Sequence, residues 1–269
     1  MFLDKIIETK KEEVARLKKE TTAEQLWEII AGLEPCRHFR QAFRSNSCNI
    51  IAEVKCASPS RGRLIENFNP VRITGVYEKN GAVAISVLTD EKYFAGHKNY
   101  LTQIRQKVNL PLLRKDFIID PIQIYETRAI GADAILLIVR VLGKKLSDFI
   151  LLSKDLGLSS LVEVHTQEEL DVALAAGAEI IGINNRNLDS FVTDIETSRK
   201  LRARIPADKI VVTESGIKSR ADIELLMRAG IKAFLIGEAL ITAPDIGKKL
   251  RAFKGEVQSD TSQNLRHYQ

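Results

Sequence analysis

Four stretches of this chain begin alike: "GAVAI" at Gly81, "GADAI" at Gly131, "GAEII" at Gly177 and "GIKAF" at Gly230, spaced by 50, 46 and 53 residues. A glycine at such a point can end a helix in the left-handed conformation and release the chain into the next strand. Each interval has room for two strand–helix units. The strands read as "NIIAEVK" (49–55), "AVAISVLT" (82–89), "LPLLRKDF" (110–117), "DAILLIVR" (133–140), "SLVEVHT" (160–166), "EIIGINNR" (179–186), "KIVVTES" (209–215) and "AFLIGEAL" (233–240). Each is followed by a candidate helix. Near-continuous apolar strands alternating with helices indicate a parallel sheet covered by helices. Eight such units in roughly 200 residues predict an α/β chain folded as a (β/α)8 TIM barrel, which typically needs ~250. A doubly wound open sheet would normally show fewer units and a glycine-rich first turn, and the sequence contains no GxGxxG.

Ahead of the strands, Leu3, Ile6, Ile7, Val14 and Leu17 recur at helical spacing and predict an amphipathic helix over 2–20. Thr22 with Gln25 forms a candidate capping box for a second helix ending near Gly32. The expected organisation is one domain over 1–254, with helices in 1–47 preceding the barrel, and a polar tail over 255–269. Forty basic residues against 35 acidic ones give a net charge of +5, spread along the chain. That balance suits an anionic small molecule, and no run of aromatics interleaved with Arg and Gly suggests a nucleic-acid partner. Three cysteines, Cys36, Cys48 and Cys56, have no metal spacing and fit a reduced compartment. The N-terminus is too charged for a secretory signal, and the apolar run "AILLIV" at 134–139 is too short for a membrane span. A cytoplasmic protein is expected.

In a parallel barrel all strand C-termini open on one face, where sites are built. The polar residues there are Glu53, Lys55 and Ser58; Thr89 and Asp90; Lys115 and Asp116; Arg140; Glu163 and His165; Asn184 and Arg186; Glu214 and Ser215; and Glu238. A single strand-end charge is commonly just solvated. A ring of both signs at equivalent strand ends is costly unless its members are paired or used, and Glu53, Lys55, Lys115, Glu163, Asn184 and Arg186 are therefore read as a site. Ser215-Gly216 after strand 7 and Gly237 after strand 8 put small residues where backbone N–H groups of such barrels hold phosphate. The predicted phosphate floor is Lys55, Ser215, Gly216, Ile236, Gly237 and Glu238, with the Glu238 backbone contributing and its carboxylate turned away.

With those residues in place, the chain resembles the indole-3-glycerol phosphate synthases of tryptophan biosynthesis over nearly all of 1–254. The motifs are "EVKCASPSRG" (53–62), "SVLTDEKYFAG" (86–96), "LLRKDFIID" (112–120), "LLIVRVL" (136–142), "LVEVH" (161–165), "GINNRNL" (182–188), "TESGI" (213–217) and "FLIGEAL" (234–240). The resemblance implies conversion of 1-(2-carboxyphenylamino)-1-deoxyribulose 5-phosphate to indole-3-glycerol phosphate with loss of carbon dioxide and water, and no cofactor or metal. It implies Lys115 as general acid, Lys55 as partner of the substrate carboxylate or agent of the later dehydration, and Glu163 as the opposing acid/base. Which lysine serves which step stays open. Glu53 and Asn184 would orient the lysines and substrate hydroxyls, with Ser215 counted among the catalytic set. Arg186 would fork onto the anthranilate carboxylate. Phe94, Phe117, Leu136 and Leu188 would line the aromatic ring, and Ser58 and Ser60 would touch substrate as the "SPSRG" loop closes over it. His165 shares a face with Glu163 but lies farther out, and a solvated role is expected for it.

Two other barrel enzymes are alternatives. A Schiff-base aldolase would use a barrel lysine as nucleophile. The isomerase of the preceding pathway step uses a cysteine at strand 1 and an aspartate at strand 6, where this chain has Lys55 and Asn184. The expected partner is a phosphorylated small molecule, without nucleic acid or membrane. The expected state is a monomer or weak oligomer, and association with other tryptophan-pathway enzymes is left open.

Overall fold

The computed structural model describes residues 2–44, 47–187 and 190–256. Leu188 and the predicted tail from residue 257 onward lie outside the described residues. Eight parallel strands close into one barrel in chain order: β1 (Asn49–Val54), β2 (Ala84–Leu88), β3 (Leu112–Lys115), β4 (Ala134–Ile138), β5 (Ser159–Val164), β6 (Ile180–Asn184), β7 (Ile210–Glu214) and β8 (Ala233–Ile236). Closure is made by β1, which pairs with β2 on one side and β8 on the other. No open sheet edge remains in the barrel, which removes the doubly wound alternative.

The glycine repeat works as predicted. Gly81, Gly131, Gly177 and Gly230 all have φ between 82° and 90°. In each case the next N–H donates to a carbonyl five residues back at 3.1 Å: Ala82 to Tyr77, Ala132 to Thr127, Ala178 to Ala173 and Ile231 to Leu226. That is the hydrogen bond of a Schellman cap, and it fixes how each helix hands over to the following strand.

Strand parity then sorts the side chains into two cores. Ile50, Ala52, Val54, Ile85, Val87, Ile135 and Leu137 face outward, against the helices. Ile51, Ala84, Leu113, Leu136, Leu161, Val212 and Leu235 fill the barrel from inside. The same inward parity continues toward the strand ends through Glu53, Lys115, Glu163, Asn184 and Glu214, so an apolar plug carries a charged layer directly above it.

The N-terminal extension adds α1 (Phe2–Glu20) and α2 (Ala23–Ala31). Thr22 and Gln25 make the predicted capping box, and Gly32 caps the far end. Against the barrel, α1 brings Phe2, Leu3 and Ile6 to the wall of the cavity at its mouth. The ammonium of Lys10, buried, lies 2.8 Å from both Asp90 and Asp116 and 2.7 Å from Glu13. Asp90 also caps the turn Glu91–Phe94 by accepting from the Tyr93 N–H. Among the described residues, no helix is long and apolar enough to cross a membrane.

Candidate active site

A cavity of about 660 Å³ opens at the strand C-termini. Fourteen of the seventeen predicted site residues line it: Glu53, Lys55, Phe94, Lys115, Phe117, Leu136, Glu163, Asn184, Arg186, Ser215, Gly216, Ile236, Gly237 and Glu238. Of the other three, Ser58 is 2% exposed in the short ribbon formed by Ala57–Ser58 and Gly62–Arg63, and its hydroxyl has no partner among the described residues. Ser60 is exposed and accepts a hydrogen bond from Arg186 Nη1 at 3.3 Å. Leu188 is not described.

Lys115 is the centre of the charged layer. Its Nζ lies 2.9 Å from Glu214 Oε2 and 3.3 Å from Glu163 Oε2. Burial works against its charge, but the carboxylates of Glu214, Glu163 and Glu53 outweigh burial and hold its pKa above the ordinary lysine value. At neutral pH it is an ammonium, with a proton to donate. Lys55 makes a separate pair with Glu53 at 2.7 Å and lies 5.9 Å from the centre of the Phe94 ring. The two charges that share one face of β1 are thus partners at the cavity wall.

Three carboxylates share this space with two lysines, and their protonation diverges. Burial pushes Glu163 up, but Lys115, His165 and a hydrogen bond from Asn184 outweigh it and hold Glu163 below its usual range. Glu214 is pushed up to about 7, chiefly by burial, helped by Glu163 and Glu53 against the pull of Lys115. Its Oε1 has no hydrogen-bond partner among the described residues. One carboxylate is therefore ionised and its neighbour carries a proton near neutrality, the pairing that acid/base chemistry needs.

Sequence reasoning noted Glu214 as a strand-end polar residue but did not place it in the site. The available signal was its parity with inward Val212, together with the register that sets Asn184 opposite Glu214. His165 corrects the expectation of a solvated role. Its ring lies 3.4 Å from Glu163 through Nε2 and 3.1 Å from Glu169 through Nδ1, with 11% of the side chain exposed. Glu169 begins the following helix and reaches back to the His165 N–H at 2.6 Å, which draws the ring inward. The cavity walls contributed by Phe2, Leu3 and Ile6 were missed as well, because a helical apolar stripe carries no mark of what it packs against.

The small residues after β7 and β8, Ser215, Gly216 and Gly237, line the same cavity. Ser215 and Gly216 have successive φ values of 66° and 81°. A serine held in the left-handed region is uncommon and marks a backbone shaped for a purpose. Lys218 and Lys249 line the cavity as well. The Glu238 carboxylate does not stand free there: its Oε1 lies 2.8 Å from Arg61 Nη1, and its Oε2 3.8 Å from Arg186 Nη2. Phe94 and Phe117 also line the cavity, their ring centres 6.2 Å apart.

This constellation has counterparts in known proteins. The family model described as Indole-3-glycerol phosphate synthase matches residues 3–253. The protein of that name from Chlorobium chlorochromatii is 50% identical over 243 residues, covering 89% of this chain and 95% of its own. The one from Alkaliphilus metalliredigens is 49% identical over 256 residues, covering 94% and 98%. Among solved structures, a 3-hexulose-6-phosphate synthase superposes with a TM-score of 0.61 over 78% of this chain and 99% of that one. At 14% identity that likeness shows the barrel fold alone.

Proposed function

This chain belongs to the indole-3-glycerol phosphate synthase family, and we propose that its Lys115, Glu163 and Glu214 carry the acid/base work of that reaction. The enzyme is a carboxy-lyase of tryptophan biosynthesis acting on a phosphorylated small molecule. Its substrate, 1-(2-carboxyphenylamino)-1-deoxyribulose 5-phosphate, must form a bond between the ring carbon bearing the carboxylate and the ketone carbon of the sugar. As that bond forms, the ketone oxygen gains negative charge. The Lys115 ammonium supplies the proton or the hydrogen bond it needs. Loss of carbon dioxide then restores aromaticity, and departure of the new hydroxyl as water completes the indole.

For the dehydration, Glu163 is the ionised base and Lys55 or the protonated Glu214 the acid that helps water leave. Glu53 holds Lys55, and Asn184 holds Glu163. Phe94, Phe117 and Leu136 pack the anthranilate ring, while Ser58, Ser60 and Arg186 take its carboxylate and close the loop over it. The phosphate rests on the backbone of Ser215, Gly216, Ile236, Gly237 and Glu238, with Lys55 nearby and Ser215 at the junction with the reacting atoms. The catalytic unit is one domain through residue 254, cytoplasmic, a monomer or weak oligomer; the thiols of Cys36, Cys48 and Cys56 are all free, in keeping with that compartment.

The observation that carries these roles is the Lys115 ammonium held between two buried carboxylates of opposite tendency at 2.9 and 3.3 Å. Incubation with the carboxyphenylamino-deoxyribulose phosphate should produce indole fluorescence without added metal or cofactor. Borohydride present during turnover should trap no covalent adduct. A stable adduct on Lys115 would replace the general acid with a Schiff-base nucleophile.

A further inference from the structure

At the phosphate end of the cavity a carboxylate stands beside the position expected for a dianion. Glu238 follows Gly237 directly and lines the same wall. Left alone, its charge would oppose phosphate binding at close range. The "SPSRG" loop after β1 supplies the answer. Arg61 reaches across the mouth and meets Glu238 Oε1 at 2.8 Å, while Arg186 Nη2 is farther from Oε2, at 3.8 Å. Arg186 is otherwise engaged with Ser60. Arg186 Nε and Glu238 Oε2 are both buried without a hydrogen-bond partner among the described residues, so the second arginine does not complete the pairing.

We propose that Arg61 is a specificity-determining residue for the phosphate end of the cavity, acting by neutralising the Glu238 carboxylate that would otherwise repel the anion. The proposal rests on the reading that the floor of Ser215, Gly216 and Gly237 takes the substrate phosphate. Its importance is not stability. The Arg61 side chain is 59% exposed, and pairs this open add little to folding. What the pair changes is the local potential. With it, the cavity that Lys218 and Lys249 line has the Glu238 charge offset by an arginine; without it, that carboxylate loses its nearest cation.

Three variants, Arg61→Ala, Glu238→Gln and the double, separate this role from a simple tether on the loop. Two readouts are used: KM for the carboxyphenylamino-deoxyribulose phosphate by indole fluorescence, and calorimetric binding of inorganic phosphate. Arg61→Ala should raise KM and the phosphate Kd about tenfold at low salt, with kcat falling far less. The penalty should shrink as salt rises, because screening weakens the repulsion from the unpaired carboxylate. Glu238→Gln should tighten phosphate binding. The double variant should return to within about twofold of the unaltered enzyme, since no charge is left to neutralise. An unchanged phosphate Kd in Arg61→Ala overturns the proposal. A double variant as weak as Arg61→Ala also overturns it, because the arginine would then act through contact alone. Phosphate binding without indole formation by the unaltered enzyme would count against the functional reading only, and the Kd series would still decide the role of Arg61.

Discussion

Gly182 has no side chain, and Glu214 occupies the space. A Cβ built at Gly182 would meet Glu214 Oε1 at 2.5 Å and Leu161 Cδ1 at 3.2 Å. The Glu214 carboxylate thus dips below the charged layer into an apolar berth, where burial keeps its proton and Lys115 still reaches it. Gly182→Ala should displace that carboxylate, lower kcat and destabilise the fold by about 1–3 kcal/mol through overpacking. Adding Glu214→Asp, one methylene shorter, should recover part of the stability; no recovery would mean that the berth is not what Gly182 provides. The same group sets a pH dependence. Unfolded, the carboxyl loses its proton near 4.5; folded, near 7. Between those values the folded protein binds the extra proton, so the stability from this group is complete below 4.5 and fades as pH rises through 7. Melting temperatures across that window should show Glu214→Gln gaining on the unaltered protein, and a constant gap would contradict the assignment. Lys115 and Glu163 were readable from the sequence because their strands' inward parity is unambiguous. The low exposure of His165 was not, since it depends on Glu169 folding back from the next helix.

At the scale of elements, α1 has the bounds its spacing predicted, and its most buried polar tie to the barrel is Lys10. Lys10 interrupts the stripe of Leu3, Ile6 and Val14 and is buried with Asp90 and Asp116. A charge inside an apolar stripe was the available clue that this face meets partners of opposite sign. Its ammonium ties α1 to the loops after β2 and β3, while Phe2, Leu3 and Ile6 wall the cavity. Lys10→Met should take the cation from buried Asp90 and leave Asp116 with Arg114 alone, at 3.2 Å, and cost about 3–5 kcal/mol in denaturant unfolding. The neighbouring Lys11, paired to Glu8 at 2.7 Å but 60% exposed, should cost well under about 1 kcal/mol when changed to Met. Equal effects from the two would remove Lys10 as the tie. The strands themselves were legible to within a few residues, because parallel strands are apolar on both faces and the glycine caps punctuate them. The ribbon of 57–58 with 62–63 was not, because it is two residues long on each side and has no period to read.

At the scale of the whole molecule, barrel closure turns sequence distance into contact. Glu53 near the start and Glu238 near the end line one cavity, with Lys115, Glu163 and Glu214 between them. Eight motifs in order implied that convergence. The arginine–glutamate pair at the mouth was not implied, because loop–loop partners leave no spacing in the chain. The account's central claim is that the Lys115 ammonium is the general acid of ring closure. Turnover of Lys115→Gln, read by indole fluorescence beside its melting temperature, tests this most directly. The account predicts a kcat lowered by about 10²–10⁴ with the barrel still folded. A folded variant that turns over at the original rate would contradict it.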